Sequence, residues 1–594
     1  MTPTTDTYTL LRAFVDELAR CGMRAACTSP GSRNTPLVLS LAREARLRCH
    51  SHVDERCAGF FALGLAKASG LPVAVTCTSG TAVANLLPAV VEAHEAHVPL
   101  LVLTADRPPE LRENGAGQAI DQLKLFGGTA KWFFDVGIHD ATPERLRWMR
   151  TLACRAYWTT LDGRPGAVHM NFALREPLVT EEQLPEDSTG RPNGAPYVSR
   201  PRTRLVERAN DSTLSELVST AQRGVVVAGR HERNTPLGKA VAAFAQTAGW
   251  PLLADPLSGA RRGSAAVAHY DALLREESFA QWAKPDLVLR VGDLPVSKPL
   301  RSWLAGLDGV RQVALDPEGT WQDPASVLSD CLALDPSEAL SRATNALSPA
   351  EEDWLSSWRS ADELAAEAIL GVLGGELSEP ALAAELGVLL GNDATLFVAS
   401  SMPVRDIETF WPVRSDPPHA LCNRGANGID GTVSSAFGAA AADEGPVVLL
   451  IGDVALAHDI GGLLAARRTG TKLTIVLVNN NGGGIFDFLP ISGASMARES
   501  NAALTEQEDL YTHHVATPTG LDFAQAAALF GLGHEPAEDL PGFRAALERA
   551  LEREQSCIVE VRTAREANVA THRRVWQAVS QALNPRAAAA APAA

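Results

Sequence analysis

The fold of this chain is decided by residues 445–486, which begin Gly445-Pro446-Val447-Val448-Leu449-Leu450-Ile451-Gly452-Asp453-Val454. The apolar run from Pro446 to Ile451 is typical of a strand that is buried on both faces of a sheet. A helix is predicted from Asp459 to Arg468, and a second buried strand from Leu473 to Val478. Strands joined through a helix are expected to be parallel, so both should end at the same edge of one sheet.

Oxygen-bearing residues follow both predicted strands. Asp453 comes directly after the first strand, and the second continues into Asn479-Asn480-Asn481-Gly482-Gly483-Gly484-Ile485-Phe486. Ligands of open α/β sheets bind at the carboxyl ends of the strands. A carboxylate, an Asn side chain and the carbonyls of a glycine-rich loop are hard ligands of the kind that Mg²⁺ prefers, usually together with phosphate. The simpler alternative is a strand–turn–helix unit with a polar loop, because Asn and Gly are common in loops.

The composition bounds the class of protein. The chain has 594 residues, of which 46% are hydrophobic and 21% charged, as in globular proteins of several domains. A formal charge of −17 argues against a nucleic-acid partner. No apolar run approaches the ~18 residues of a membrane span. The N-terminus lacks the features of a signal peptide, and nine scattered cysteines suit reduced thiols, so a cytoplasmic location is expected.

The order of the predicted elements indicates three doubly wound α/β domains with parallel sheets. In the first domain, strands are predicted at residues 24–28, 73–77, 99–103 and 166–172, together with a short strand that ends at Val53. Residues 182–203 are polar and rich in Pro and Gly, which is typical of a linker. The predicted domains are residues 1–182, 204–345 and 376–565, followed by a disordered Ala/Pro tail at 585–594.

The loops after the predicted strands carry a resemblance to a known family. The Gly-Asp turn at 452–453, followed by the asparagines at 479–481, resembles the diphosphate-binding motif of thiamine diphosphate (ThDP) enzymes. A larger set of loops resembles MenD, the family of 2-succinyl-5-enolpyruvyl-6-hydroxy-3-cyclohexene-1-carboxylate (SEPHCHC) synthases of menaquinone biosynthesis. These loops are 29–34, 54–56, 78–81, 104–111, 423–431 and 479–486. The resemblance covers both outer domains, whereas the middle domain adds little.

The resemblance implies a set of cofactor-binding residues. Glu55 would be the catalytic carboxyl group against N1′ of the ThDP aminopyrimidine, and burial should raise its pKa. The simpler alternative is a Glu stabilised by a helix N-terminus. The Asp453 and Asn480 side chains and the Gly482 carbonyl would hold Mg²⁺, with Mn²⁺ as a possible substitute. The other residues expected at the cofactor are Ser79, Gln118, Ile429, Ile485 and Phe486. Two positions depart from the family pattern: Val454, where Gly is common, and Gly117, where Asn is common and Asn114 could substitute.

The resemblance also implies the reaction, a transferase reaction on two acidic substrates. The family decarboxylates 2-oxoglutarate and adds the resulting succinyl unit to isochorismate in a 1,4 (Stetter-like) fashion. Arginine suits both substrates because its guanidinium binds carboxylates through two hydrogen bonds and stays charged. Ser32, Arg33 and Arg107 are expected at isochorismate. The residues expected at the 2-oxoglutarate-derived part are Ser401, Arg405 and Arg424. Lys298 is expected to be the middle domain's contribution to substrate binding.

The expected assembly is a homodimer or homotetramer, because in this superfamily a complete site forms between two subunits. Both outer domains should then expose an apolar face. Two alternatives stay open from the sequence. One is another ThDP-dependent carboligase of 2-oxo acids, such as an acetolactate synthase. The other is a non-catalytic ThDP-fold protein that serves as a binding module.

Overall fold

The computed structural model describes residues 2–200, 212–231, 237–499 and 509–584. The predicted tail at 585–594 lies outside the described residues. Every strand pairing within the described part of the chain is parallel, and the strands form three sheets. In chain order the strands are β1 Ala25–Thr28, β2 Arg48–Ser51, β3 Val73–Cys77, β4 Leu100–Asp106, β5 Ala130–Asp135, β6 Ala167–Ala173, β7 Gly224–Ala228, β8 Leu252–Ala254, β9 Leu287–Val291, β10 Arg311–Leu315, β11 Asp330–Leu332, β12 Thr395–Val398, β13 His419–Cys422, β14 Val447–Gly452, β15 Thr474–Asn479, β16 Gly533–Ala537 and β17 Cys557–Arg562.

Helices connect the strands and cover both faces of each sheet. They are α1 Pro3–Cys21, α2 Thr35–Arg43, α3 Glu55–Ser69, α4 Thr81–Ala84, α5 Leu87–Glu95, α6 Pro143–Leu161, α7 Thr213–Val218, α8 Leu237–Ala248, α9 Tyr270–Leu273, α10 Glu277–Trp282, α11 Lys298–Ala305, α12 Pro336–Ala343, α13 Trp354–Leu373, α14 Glu379–Leu389, α15 Met402–Phe410, α16 Thr432–Ala442, α17 Asp453–His458, α18 Ala465–Arg468, α19 Phe523–Phe530, α20 Leu540–Glu552 and α21 Arg565–Leu583. Within the described part of the chain, none of them is both long and apolar enough to cross a membrane.

The first and third sheets have the same topology. Their strand orders are β2-β1-β3-β4-β6-β5 and β13-β12-β14-β15-β17-β16. In each sheet the chain first moves to one side of its opening strand and then crosses to the other side. This reversal opens a crevice at the carboxyl ends of the strands, where ligands of such sheets bind. The middle sheet has five strands in the order β11-β10-β9-β7-β8. The predicted three doubly wound domains are confirmed, whereas their exact limits stay a prediction.

The two strands predicted in the deciding stretch are confirmed within one residue at each end. Strands β14 and β15 pair directly, with Leu450 opposite Val476, and their residues are buried. The helix predicted from Asp459 to Arg468 is wrong in its start. Helix α17 begins at Asp453 and ends at His458, and a 3₁₀ turn at Ile460–Leu464 leads into α18. The buried Asp459 carboxylate accepts hydrogen bonds from Ser434, which fixes the break between the helices.

One strand of the first sheet escapes the sequence pattern. Strand β5 contains three adjacent aromatic residues, Trp132-Phe133-Phe134, and therefore lacks the alternation that marks a half-buried strand. It pairs with β6 at the edge of the sheet, with an irregular register between Ala130 and Trp132.

The first and third domains meet through helices whose backbones touch. A Cβ atom at Gly64 of α3 would lie 1.8 Å from the carbonyl oxygen of Ser435 in α16. One at Gly438 of α16 would lie 2.0 Å from the carbonyl oxygen of Phe61 in α3. Both glycines are therefore required by the close approach of the two helices.

The middle and third domains are joined by a buried arginine. Arg261, which follows β8, donates hydrogen bonds to the carbonyl oxygens of Glu408 and Trp411, 2.9 and 3.1 Å away. It also donates to the carbonyl oxygen of Ala254 in its own domain. The end of α15 is thereby fixed to the middle domain.

We expect acid to destabilise the first domain through His169. This buried residue packs against Phe126 and Phe133, and burial lowers its pKa to about 3. Because the unfolded chain binds a proton near pH 6.5 and the folded chain does not, this contribution to stability is present above that pH and lost as the pH falls. The loss is about 2 kcal/mol at pH 5.

The melting temperature of both proteins should fall between about pH 7.5 and pH 5. The fall should be roughly 4–8 °C smaller for His169→Gln than for the parent. Differential scanning calorimetry at the two pH values measures this difference. The same change at the exposed His458 serves as the control. Equal acid shifts in the parent and His169→Gln would contradict the assignment.

Candidate cofactor and substrate site

The Asp453 carboxylate is buried at the start of α17, directly after β14. Its Oδ2 atom accepts a hydrogen bond of 2.9 Å from the backbone N–H of Gly482, which follows β15. Its Oδ1 atom is buried and has no hydrogen-bond partner in the described part of the chain. Burial raises the pKa of Asp453 to about 6, although the hydrogen bonds from Gly482 and Val454 oppose the shift. A buried carboxylate oxygen that lacks a protein partner is costly, so Asp453 Oδ1 is suited to bind a cation.

The orientation of the Asn480 amide is set by a buried carboxylate. Asn480 Nδ2 donates to Glu379 Oε1 at 2.9 Å. Glu379 also accepts hydrogen bonds of 2.9 Å from Thr563 and Asn568. Because the carboxylate accepts from the amide nitrogen, the Asn480 Oδ1 atom must face the other way. That oxygen is buried and unpaired among the described residues.

These features fit a hard divalent cation. Two unpaired oxygens, from Asp453 and Asn480, come from loops after neighbouring strands, and oxygen is the donor that Mg²⁺ and Mn²⁺ accept. The backbone at Gly482 has a φ of 138°, and a Cβ atom there would lie 2.7 Å from the Ala516 carbonyl oxygen. Only glycine fits this turn, which keeps its peptide close to Asp453.

Ile485 and Phe486 lie on the 3₁₀ turn Gly484–Phe488 that follows the glycine-rich loop. Phe486 is exposed and Ile485 is half-buried. The same turn carries Asp487, which accepts a hydrogen bond from the Tyr511 hydroxyl. Ile485 and Phe486 therefore present apolar surface close in sequence to the oxygen groups of Asn480 and Gly482.

Glu55 is the first residue of α3, after the edge strand β2 of the first sheet. Its carboxyl group is half-buried, and burial is the main cause that raises its pKa. The charge of the neighbouring Asp54 raises the pKa further, whereas the backbone N–H of Glu55 itself lowers it. Asp54 caps the helix by accepting from the backbone N–H of Arg56. Within the described residues of one chain, no hydrogen bond joins Glu55 to Asp453 or Asn480.

The structure brings Ser79, Arg107 and Gln118 together at the edge of the first sheet. Arg107 donates to Ser79 Oγ and to the Gly117 carbonyl oxygen, both at 2.7 Å. Ser79 Oγ donates to the Gln118 carbonyl oxygen at 3.0 Å. Position 117 thus acts through its backbone. Asn114 bonds locally to Glu110 and Ala116 and does not replace a side chain at 117.

Arg33 lies near Arg107 but is largely committed to its own domain. Its guanidinium is buried and donates to the Leu174 carbonyl oxygen and to Glu176. Burial lowers the pKa of Arg107, and the charge of Arg33 lowers it further. Ser32 is exposed beside them. The two guanidinium groups therefore lie close enough for their charges to interact.

Arg405 and Arg424 form a second arginine group, with a member that sequence reasoning missed. Arg405 donates to the carbonyl oxygen of Ser401, a non-glycine residue with a φ of 74°. Burial lowers the pKa of Arg405, and the charge of Arg424 lowers it further. Arg301 in α11 is exposed and donates hydrogen bonds of 2.7 and 3.1 Å to the carbonyl oxygens of Pro295 and Leu294. Partial desolvation and the charge of Arg424 lower its pKa. None of the three arginines forms an ion pair within the described part of the chain.

Lys298 is exposed at the first residue of α11, and Arg301 follows it by three residues. Residues three apart share a face of a helix, so the predicted Lys298 and the unpredicted Arg301 lie on the same side of α11. That spacing was the signal that could have revealed Arg301. Glu379 carried no such signal, because it lies far from Asn480 in the sequence.

Comparisons with known proteins place these residues in a family. The N-terminal TPP binding domain of thiamine pyrophosphate enzymes matches residues 8–125, and the C-terminal TPP binding domain matches 404–561. The middle domain of thiamine pyrophosphate enzymes matches 193–398. The chain is 42% identical over 577 residues to the SEPHCHC synthase of Geobacillus thermodenitrificans, covering 96% of both chains. It is 42% identical over 581 residues to that of Chloroflexus aurantiacus, also covering 96% of both. It is 40% identical over 584 residues to that of Listeria innocua, covering 96% of this chain and 97% of the relative.

The chain belongs to the SEPHCHC synthase family. The resemblance drawn from the loops is thereby confirmed, as is the presence of two ThDP-binding domains. The family's name favours this activity over that of an acetolactate synthase. The roles of the individual residues stay predictions.

Proposed function

We propose that the protein is a ThDP-dependent SEPHCHC synthase of menaquinone biosynthesis. It decarboxylates 2-oxoglutarate and adds the succinyl unit to isochorismate, releasing CO₂. The observation that carries the choice of substrate is the group of Arg301, Arg405 and Arg424. Their like charges act on one another, and none of the three forms an ion pair within the described part of the chain, although the charges of Asp255 and Asp406 partly offset this repulsion. Like charges that repel one another gain most from an anionic ligand, and 2-oxoglutarate carries two carboxylates.

The metal site would comprise Asp453, Asn480 and the Gly482 carbonyl, with Mg²⁺ or Mn²⁺ as the ion. Unpaired buried oxygens on Asp453 and Asn480 support this assignment. The hydrogen bond from Asn480 Nδ2 to Glu379 also supports the assignment, because it turns the Asn480 side-chain oxygen away from the Glu379 carboxylate. The ion would neutralise the diphosphate, while Ile429, Ile485 and Phe486 provide apolar contacts.

ThDP supplies a nucleophilic carbon and takes up the electron pair released by decarboxylation. Glu55 would hydrogen-bond to its pyrimidine ring and share a proton with it, for which a raised pKa is favourable. Ser79 and Gln118 would line the same pocket. Isochorismate would bind to Ser32, Arg33 and Arg107, so that the two substrates meet between the two sheet edges.

The complete site would form between two copies of the chain, in a homodimer or a tetramer. Glu55 and Asp453 belong to different domains, and no hydrogen bond between them is present in one chain. Exposed apolar residues on both outer domains support such an interface. They include Val53, Ile120 and Leu123 in the first domain and Leu489, Ile491 and Met496 in the third.

Glu55→Gln should leave the affinity for ThDP unchanged while lowering kcat by about a hundredfold or more, because the proton-sharing contact is lost. Steady-state kinetics with 2-oxoglutarate and isochorismate, together with ThDP calorimetry, test this expectation. The exposed Glu113→Gln is a matched control. A kcat close to that of the parent would remove Glu55 from its proposed role.

Asp453→Ala should abolish the dependence of ThDP binding on Mg²⁺, because a charged ligand of the ion is lost. Isothermal titration of ThDP with and without Mg²⁺ measures this directly, without any turnover. Asp443→Ala, at the end of α16, is the control. Unchanged ThDP affinity in Asp453→Ala would exclude it as a ligand.

Arg301→Ala should raise the KM for 2-oxoglutarate about tenfold or more, with a smaller effect on the KM for isochorismate. Arg301→Lys should restore part of the affinity, because the charge remains but the two-point hydrogen bonding is lost. Arg311→Ala, which removes an arginine paired with Asp330 in the same domain, is the control. Identical KM values for the parent and Arg301→Ala would contradict the assignment.

A further inference from the structure

Two charged residues of the first domain are buried against the loop 423–431 of the third domain, called here the Arg424 loop. Lys67 of α3 and Glu92 of α5 are both buried, and Lys67 Nζ lies 3.3 Å from Glu92 Oε1. Lys67 also donates a hydrogen bond of 2.8 Å to the carbonyl oxygen of Cys422, the last residue of β13. Because β13 belongs to the third domain, this ion pair lies at the contact between two domains.

The Glu92 carboxylate also binds the loop that follows β13. Its Oε1 atom accepts a hydrogen bond of 2.9 Å from the backbone N–H of Gly425, and Oε2 accepts one of 2.6 Å from that of Ala426. The loop presses on α5 as well, since a Cβ atom at Gly425 would lie 2.6 Å from the Ala96 nitrogen. One carboxylate thus fixes two consecutive peptide groups.

The residue directly before these peptide groups is Arg424. Because Arg424 is joined directly to these peptide groups, the position of its side chain depends on how the backbone at 425 and 426 is held. The next part of the loop is anchored separately. Ile429 accepts a hydrogen bond from Thr432, and Gly431 packs against the Phe60 ring. Loss of the Glu92 contacts should therefore affect Arg424 more than Ile429.

We propose that Glu92, neutralised by Lys67, is a positioning residue that holds the Arg424 loop in its substrate-binding conformation. This inference rests on the proposed function, because Arg424 is there a ligand of 2-oxoglutarate. Both charged side chains are buried, and their hydrogen bonds to the loop are made to its backbone carbonyl and N–H groups. These hydrogen bonds link the first domain of a chain to the substrate group of the third domain of the same chain.

Glu92→Gln tests the proposal in the holoenzyme. The amide keeps one acceptor oxygen and turns an NH₂ group toward the second backbone N–H, so one hydrogen bond is lost. We expect the KM for 2-oxoglutarate to rise about tenfold, while the ThDP dissociation constant changes less than about twofold. Glu17→Gln is the matched control, because Glu17 is equally buried and paired with Arg150 far from the loop.

A double-mutant cycle shows whether Glu92 acts through Arg424. In an Arg424→Ala background, Glu92→Gln should add less than about a twofold change in KM, since the residue it positions is gone. A full tenfold rise in that background, or an unchanged KM in Glu92→Gln alone, would overturn the proposal. If Glu92→Gln does not fold, Lys67→Met/Glu92→Gln removes the buried Lys67 ammonium group as well and is measured in its place.

Hydrogen exchange provides a readout that does not depend on activity. The amides of Gly425 and Ala426 should exchange faster in Glu92→Gln than in the parent or in Glu17→Gln. Equal exchange would overturn the proposal even if the KM changes. A parent enzyme that does not consume 2-oxoglutarate with isochorismate would instead refute the proposed function, and the exchange experiment would still decide whether Glu92 holds the loop.

Discussion

The structure depends on the close packing of α3 against α16, in which two helix backbones touch without side chains between them. Gly64 and Gly438 make this approach possible. Helix α3 begins at Glu55, and α16 follows directly after the loop 423–431. A shift of either helix would therefore move a candidate cofactor contact and the Arg424 loop together. Interfaces packed this tightly transmit displacement because they leave no free volume to absorb it.

The site combines two kinds of electrostatic cost. On one side, buried oxygens of Asp453 and Asn480 have no hydrogen-bond partner among the described residues. On the other side, the like charges of three arginines act on one another, and none of these arginines forms an ion pair in the same part of the chain. In the proposed function, each cost would be relieved by a ligand of the opposite sign: a cation for the oxygens and an acidic substrate for the arginines. Burial of apolar residues in the sheets offsets both costs, since β14 and β15 are almost entirely buried. Glu379 orients the Asn480 amide, and Glu92 binds the two peptide groups that follow Arg424, so both are placed to act as positioning groups.

Much of the site could be predicted because its residues lie in short loops directly after predictable strands. Asp453 follows β14, Asn480 follows β15 and Arg107 follows β4, so the apolar runs located these side chains at one edge of each sheet. Strand β5 was missed because its three adjacent aromatic residues do not alternate with polar residues. The break between α17 and α18 was missed because it depends on a contact between Asp459 and Ser434, which is 25 positions away. Arg301 and Glu379 were missed because their partners are far away in the chain.

The sequence by itself determined the three parallel sheets, the loops that carry the candidate ligands and the family to which the chain belongs. Hydrophobic periodicity and loop motifs are local properties of the sequence, so they can be recognised without knowing how the chain packs. Only the tertiary structure decided that Glu379 orients Asn480, that Arg301 joins Arg405 and Arg424, and that Lys67 and Glu92 hold the loop after β13. These contacts join residues separated by up to several hundred positions, and their hydrogen bonds depend on atomic distances that no local pattern encodes.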